Sequence, residues 1–134
     1  MKIALPMMFA IAGIVMSISI PHSANANSQT SVAPSPHVVE RVANKEWLLL
    51  DVRSTEEFAQ GHIPGAMNIP FDEIDHYLAE LDTHKGKPII IYCRSGRRAR
   101  IAMKVLADLN FPDVMHLEGD VEGWSEAGLP LERR

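Results

Sequence analysis

Apolar positions fall into two rhythms along this chain. Trp47-Leu48-Leu49-Leu50-Asp51-Val52 and Pro88-Ile89-Ile90-Ile91-Tyr92 are short, almost unbroken apolar runs. Runs of that length read as strands buried on both faces, as in a parallel sheet. Two further short strands are expected near Ala66 to Ile69 and over Asp113 to Leu117. Between the strands the spacing turns helical. Phe71, Ile74, Leu78 and Leu81 predict a helix over 71–81; Ile101, Ala102, Val105, Leu106 and Leu109 predict one from about Arg97 to Leu109. Val38, Val39 and Val42 suggest a short helix within His37 to Lys45, and Asp120 to Glu126 another that carries Trp124. Ser54 with Glu57 three residues later has capping-box spacing for a helix that Gly61 ends. Strands alternating with helices predict an α/β fold, a small parallel sheet flanked by helices on both faces. No internal repeat is visible.

The ends change this picture. Ile3 to Ile20 is nearly all apolar and uncharged, preceded by Lys2 and followed by Pro21 and Ala24-Asn25-Ala26. That is the layout of a secretory signal peptide with an A-x-A cleavage site, so residues 1–26 are expected to be removed on export. The rival is an uncleaved membrane anchor, since the run is near the minimum spanning length. Residues 27–36, rich in Ser, Pro, Ala and Asn, read as a flexible lead-in, and 37–134 as one small domain. Losing Lys2 with the leader takes Lys+Arg from 13 to 12 and the formal net charge from −4 to −5. An acidic domain with one concentrated basic spot is not a general nucleic-acid binder. The 6 histidines have no metal-ligand spacing, and neither a metal nor another cofactor is called for.

Cys93 is the sole cysteine, and it stands directly after the second apolar run, in Cys93-Arg94-Ser95-Gly96-Arg97-Arg98. An exported chain with one cysteine has no internal disulfide, so the thiol is either reactive or paired with another molecule. A strand that delivers it into a tight loop at a helix start aims backbone N–H groups and the helix dipole at the sulfur. Arg94, Arg97, Arg98 and Arg100 add positive charge. Such settings hold a cysteine pKa in the range of roughly 3.5–7.5, which favours the thiolate.

Three stretches together resemble the rhodanese or sulfurtransferase domain. Asp51-Val52-Arg53, with Glu57-Phe58 and Gly61-His62-Ile63-Pro64-Gly65-Ala66-Met67-Asn68-Ile69-Pro70, is similar to that family's N-terminal signature. Cys93 to Arg98 is similar to its active-site loop, C-x-x-G-x-R. Leu117-Glu118-Gly119 with Trp124 is similar to its C-terminal signature, except that Asp120 stands where a second glycine is usual. The resemblance covers nearly the whole domain, and implies a rhodanese-like fold and a single-domain thiosulfate sulfurtransferase of periplasmic type. Cys93 would be the catalytic nucleophile, taking a sulfane sulfur from a small anionic donor such as thiosulfate and passing it from a persulfide to cyanide or a thiol. A sulfur-accepting protein is a further partner; nucleic acid and, once the leader is cleaved, membrane are not.

Around that nucleophile, Arg94, Ser95, Gly96, Arg97 and Arg98 are the expected donor-binding residues. Gly96 permits the sharp turn, Arg98 clamps the donor or braces the loop, and Arg94 and Arg97 steer anions inward. Asp51 either pairs with an arginine of the active site or caps the following helix. Arg53 reads as structural, His62 as a hydrogen-bonded turn residue, and Phe58 and Trp124 as core. Two alternatives stay open. One is a sulfur-carrier or redox and interaction module that uses the same thiol. The other is a cysteine-dependent phosphatase, although those loops have the form C-x5-R and only four residues separate Cys93 from Arg98.

Overall fold

A computed structural model describes residues 31–134 together with Ala4 and Gly13. Apart from those two positions, the expected leader and the first part of the lead-in, 27–30, lie outside the described residues. The elements run β1 (Ser31–Val32), α1 (Pro36–Ala43), β2 (Leu48–Asp51), α2 (Thr55–Gln60), β3 (Met67–Asn68), a 3-10 turn (Ile74–Tyr77), α3 (Leu78–Asp82), β4 (Ile89–Tyr92), α4 (Arg97–Asp108), β5 (Val114–Leu117) and α5 (Asp120–Glu126). The strands form one sheet in the order β1-β5-β4-β2-β3, and every pairing is parallel.

The unbroken apolar runs are explained by the two cores they separate. Strand side chains alternate between faces. Leu48, Leu50, Ile89 and Ile91 pack with Ile74, Leu81, Ala102 and Leu106 on the α3/α4 side. Leu49, Ile90 and Tyr92 pack with Val38, Met115 and Trp124 on the α1/α5 side. Fully burying each such Leu or Ile is worth about 1.5–3 kcal/mol relative to exposure. The parallel sheet with helices on both faces is therefore present as the periodicity predicts.

Several local readings are corrected. The later part of the expected flexible lead-in is ordered: Ser31 and Val32 pair with His116 and Leu117, and Glu118 N–H donates to Val32 O at 2.8 Å. Pro36 starts α1, where its missing N–H costs nothing. The helix expected over 71–81 is broken. Glu73 N–H donates back to Pro70 O and His76 N–H to Glu73 O, so the segment begins with tight i→i+3 turns. In α4, Ile101 is exposed, and Ala99, Ala102 and Leu106 supply the buried stripe.

At the carboxyl ends of the strands the chain enters its helices through short loops. That edge is where open α/β sheets place their ligands. β4 ends there at Tyr92, and the next residue is Cys93.

Candidate active site

Cys93 occupies the link between β4 and α4 and is nearly fully buried. Gly96 turns the chain with φ +119°, a conformation only glycine adopts without strain. A Cβ there would lie 2.9 Å from Arg100 Nη1 and 3.2 Å from Asp120 Oδ2. The turn brings the Gly96 N–H to 3.0 Å from Cys93 Sγ. Among the described residues it is the one backbone donor at hydrogen-bonding distance from the sulfur, where the sequence predicts more than one. Ser95, Arg94, Arg97 and Arg100 are exposed, and Arg98 is half-buried.

The positive charge of the loop is largely spoken for. Arg98 donates to both carboxylate oxygens of Glu57, at 2.7 and 3.0 Å. It therefore braces the loop against α2 and does not reach into it. That pair holds the Glu57 carboxyl down to about 2; burial opposes the shift without cancelling it. Glu57 also completes the expected cap, taking up Ser54 through its own N–H. Arg94 pairs with Glu122 at 2.9 Å on the surface. Arg97 and Arg100 meet no carboxylate within 4.0 Å among the described residues.

Asp51 pairs with Arg53, an arginine that walls the cleft beside the loop, and does not cap α2. Ser54 caps α2 instead. The Asp51 carboxylate accepts from the Arg53 N–H at 2.9 Å and from its guanidinium at 2.7–3.1 Å. Arg53 continues to the Gly61 carbonyl at 2.7 Å. Asp51 and Arg53 are thus a buried clip for the loop beyond α2, consistent with Arg53 as structural. His62 is a turn histidine as expected: Nδ1 lies 2.8 Å from Phe58 O and the ring stacks on Phe58 at 3.7 Å. Trp124 is fully buried, with Nε1–H donating to Pro130 O.

Asp120, marked in the sequence only as a departure from the usual glycine, is part of the site. It adopts φ +56°, so it keeps the left-handed backbone of the glycine it replaces. Its side chain turns inward and is 1% exposed. Oδ1 accepts the Cys93 N–H at 2.9 Å and lies 2.9 Å from His116 Nε2. Since an ionised carboxylate only accepts, Nε2 carries the proton of that contact. Burial works to raise the Asp120 carboxyl, but the bonds from His116 and the Cys93 N–H together outweigh it and hold it below the usual carboxylate range. Two sequence cues pointed here: an aspartate in place of a glycine just after a strand, and a histidine four residues before it.

Beside the loop lies an open cleft of about 500 Å³, walled by Arg53, Glu57, Arg94, Glu122, Glu126 and Leu131. A cysteine sulfur at a helix start, in a loop whose Arg94 lines that cleft, is an arrangement that can support transfer of a small group.

Comparison with known proteins points the same way. The family described as rhodanese-like domain matches residues 35–127. A protein of Allochromatium vinosum named sulfurtransferase is 36% identical over 98 residues, 72% of this chain and 90% of that protein. An uncharacterized protein of Synechocystis is 30% identical over 106 residues; they make up 78% of this chain but only 58% of that protein. Among solved structures, the thiosulfate sulfurtransferase of Pseudomonas aeruginosa superposes with a TM-score of 0.69 at 31% identity, over 78% of this chain and 20% of that one.

Proposed function

The chain belongs to the rhodanese-like domain family, and from that premise we propose that it is a sulfurtransferase working through a persulfide on Cys93. The observation that carries this is the buried Cys93 sulfur receiving the Gly96 N–H at the β4–α4 junction. Sulfane-sulfur transfer needs a soft anionic nucleophile, and thiolate is one. The Cys93 thiolate attacks the outer sulfur of thiosulfate or a similar donor. An Sγ–S bond forms, the donor's S–S bond breaks, and sulfite leaves with the electron pair. Cyanide or an acceptor thiolate then attacks the outer sulfur of Cys93–S–S⁻, and the Sγ–S electron pair returns to Cys93. The Gly96 N–H offsets the charge on Sγ each time it is the anion.

The phosphatase alternative is weakened by Arg98. A phosphate loop needs its arginine turned onto the bound anion, and here that side chain is held by Glu57. The test is mass spectrometry of the protein after exposure to thiosulfate. A gain of about 32 Da on the Cys93 peptide, reversed by cyanide, is expected; hydrolysis of an aryl phosphate without that gain overturns the reading.

Residues 1–26 direct export to the periplasm and are removed there. N-terminal sequencing of the protein from cells is expected to begin at Asn27; a start at Met1 in the membrane fraction favours the anchor.

A further inference from the structure

The most unusual group near Cys93 is a negative charge. Asp120 is buried, and its two oxygens face both ends of the sulfur's loop. Oδ1 holds the Cys93 N–H at 2.9 Å, and Oδ2 lies 3.2 Å from where a Gly96 Cβ would sit. Gly96 is the residue whose N–H reaches the sulfur. The carboxylate is therefore fixed beside the reacting atom, out of water that would screen it. Of the four arginines near the loop, Arg94 and Arg98 are neutralised by Glu122 and Glu57. That leaves Arg97 and Arg100 beside Asp120 and its partner His116, so the site is less positive than a count of its arginines suggests.

We propose that Asp120 is a specificity-determining residue, whose carboxylate, positioned by the Cys93 N–H and His116, disfavours dianionic sulfur donors and selects organic persulfides. This rests on the persulfide reading above. Repulsion from a fixed charge scales with the charge brought up to it. Thiosulfate brings two negative charges to the thiolate. An organic persulfide brings one, or none as the hydropersulfide R–S–SH. In that case the Cys93 thiolate attacks the terminal sulfur and an Sγ–S bond forms. The donor S–S bond breaks, R–S⁻ leaves with the electron pair, and the proton stays on the transferred sulfur as Cys93–S–SH. The cleft of about 500 Å³ that Arg94 of the same loop lines has room for the R group, far more than a thiosulfate ion fills.

The discriminating measurement is the second-order rate of sulfur loading onto Cys93, followed by quenched mass spectrometry. Two donors are compared at one pH: thiosulfate, and the persulfide of cysteamine, whose ammonium offsets its negative charge. The proteins are wild type, Asp120→Asn and Asp120→Gly. Asn tolerates a positive φ and still accepts the Cys93 N–H, so it removes only the charge. Gly removes charge and acceptor together. The ratio of thiosulfate to persulfide loading is expected to rise about tenfold in Asp120→Asn, and in Asp120→Gly as well. A ratio within about twofold of wild type in both variants, or a rise confined to Asp120→Gly, overturns the proposal. Loading by neither donor in the wild type overturns the persulfide reading itself, whereas loading by both with an unchanged ratio overturns the charge selection alone.

Discussion

Arg98 and Glu57 form a two-bond pair, at 2.7 and 3.0 Å, that ties the first turn of α4 to the first turn of α2. It joins the loop that holds Cys93 to a helix whose Glu57 also lines the cleft. The Glu57 carboxyl lies at about 2 in the folded protein against 4.5 for the free group, with the Arg98 hydrogen bond as the largest cause. A depressed carboxyl stabilises the fold above the unfolded value and loses that contribution as pH falls through the folded one. The window is therefore from 4.5 down to about 2. Glu57 is about a third exposed, so the pair is worth about 1 kcal/mol after screening by water. Glu57→Gln should be less stable than wild type by about that amount at neutral pH, with the gap closing as acid protonates the wild-type group. Urea unfolding at a series of pH values checks this, and a gap that stays constant down to the acid end contradicts it.

Cys93→Ala should abolish sulfur transfer and leave the fold intact. No other thiol exists in the chain to carry the intermediate. The substitution removes one buried sulfur from the edge of the α3/α4 core, a cost of about 1 kcal/mol. Circular dichroism should be unchanged while thiocyanate formation from thiosulfate and cyanide falls to the uncatalysed rate. Turnover that persists in the folded variant overturns Cys93 as nucleophile.

The sheet, the strand before the nucleophile and the loop itself were legible because each rests on a short-range pattern. Ile89 to Tyr92 is apolar at every position since both faces are covered, and Gly96 marks its own turn. The capping of α2 was legible for the same reason, as Ser54 and Glu57 are three residues apart. What the sequence hid was long-range. Arg98 and Glu57 are 41 positions apart, and nothing local to Arg98 says that it will be drawn out of the loop. Asp51 has an arginine two residues on and four more near Cys93, and pattern alone does not choose among them. The ordering of Ser31 and Val32 depends on the open edge of β5, a strand more than eighty residues later. The break at Phe71 is a local failure: helical spacing was present, but the turn after Pro70 set the backbone first.

Gly96→Ala should damage the site more than the fold around it. With φ +119° the alanine is strained by about 1–3 kcal/mol before any contact is counted. Its Cβ also meets Arg100 Nη1 at 2.9 Å, which a flexible side chain can relieve, and Asp120 Oδ2 at 3.2 Å, which a buried carboxylate cannot. The backbone must shift, and with it the N–H that faces Sγ. Persulfide loading is expected to fall at least tenfold, and adding Arg100→Ala should not restore it. Recovery in the double variant assigns the defect to the Arg100 clash alone.

Asp51→Asn tests whether the buried pair at the end of β2 serves the fold or the donor. Asp51 is fully buried and Arg53 is 6% exposed, so the substitution strands a guanidinium away from water with the Gly61 carbonyl as its remaining strong acceptor. Breaking such a pair on one side costs about 3–5 kcal/mol, because the surviving charge is left uncompensated. The Asn side-chain oxygen can still accept the Arg53 backbone N–H, so the turn after β2 has no reason to open. Asp51→Asn with Arg53→Met removes both charges and should recover a good part of the loss, giving a coupling energy of about 1–3 kcal/mol in a double-mutant cycle read by urea unfolding. Neither side chain is within hydrogen-bonding distance of Cys93 Sγ. The loading rate of folded Asp51→Asn, measured well below its melting temperature, is therefore expected to stay within about threefold of wild type. A loading defect much larger than that in the folded protein, with stability little changed, would give Asp51 a part in handling the donor instead.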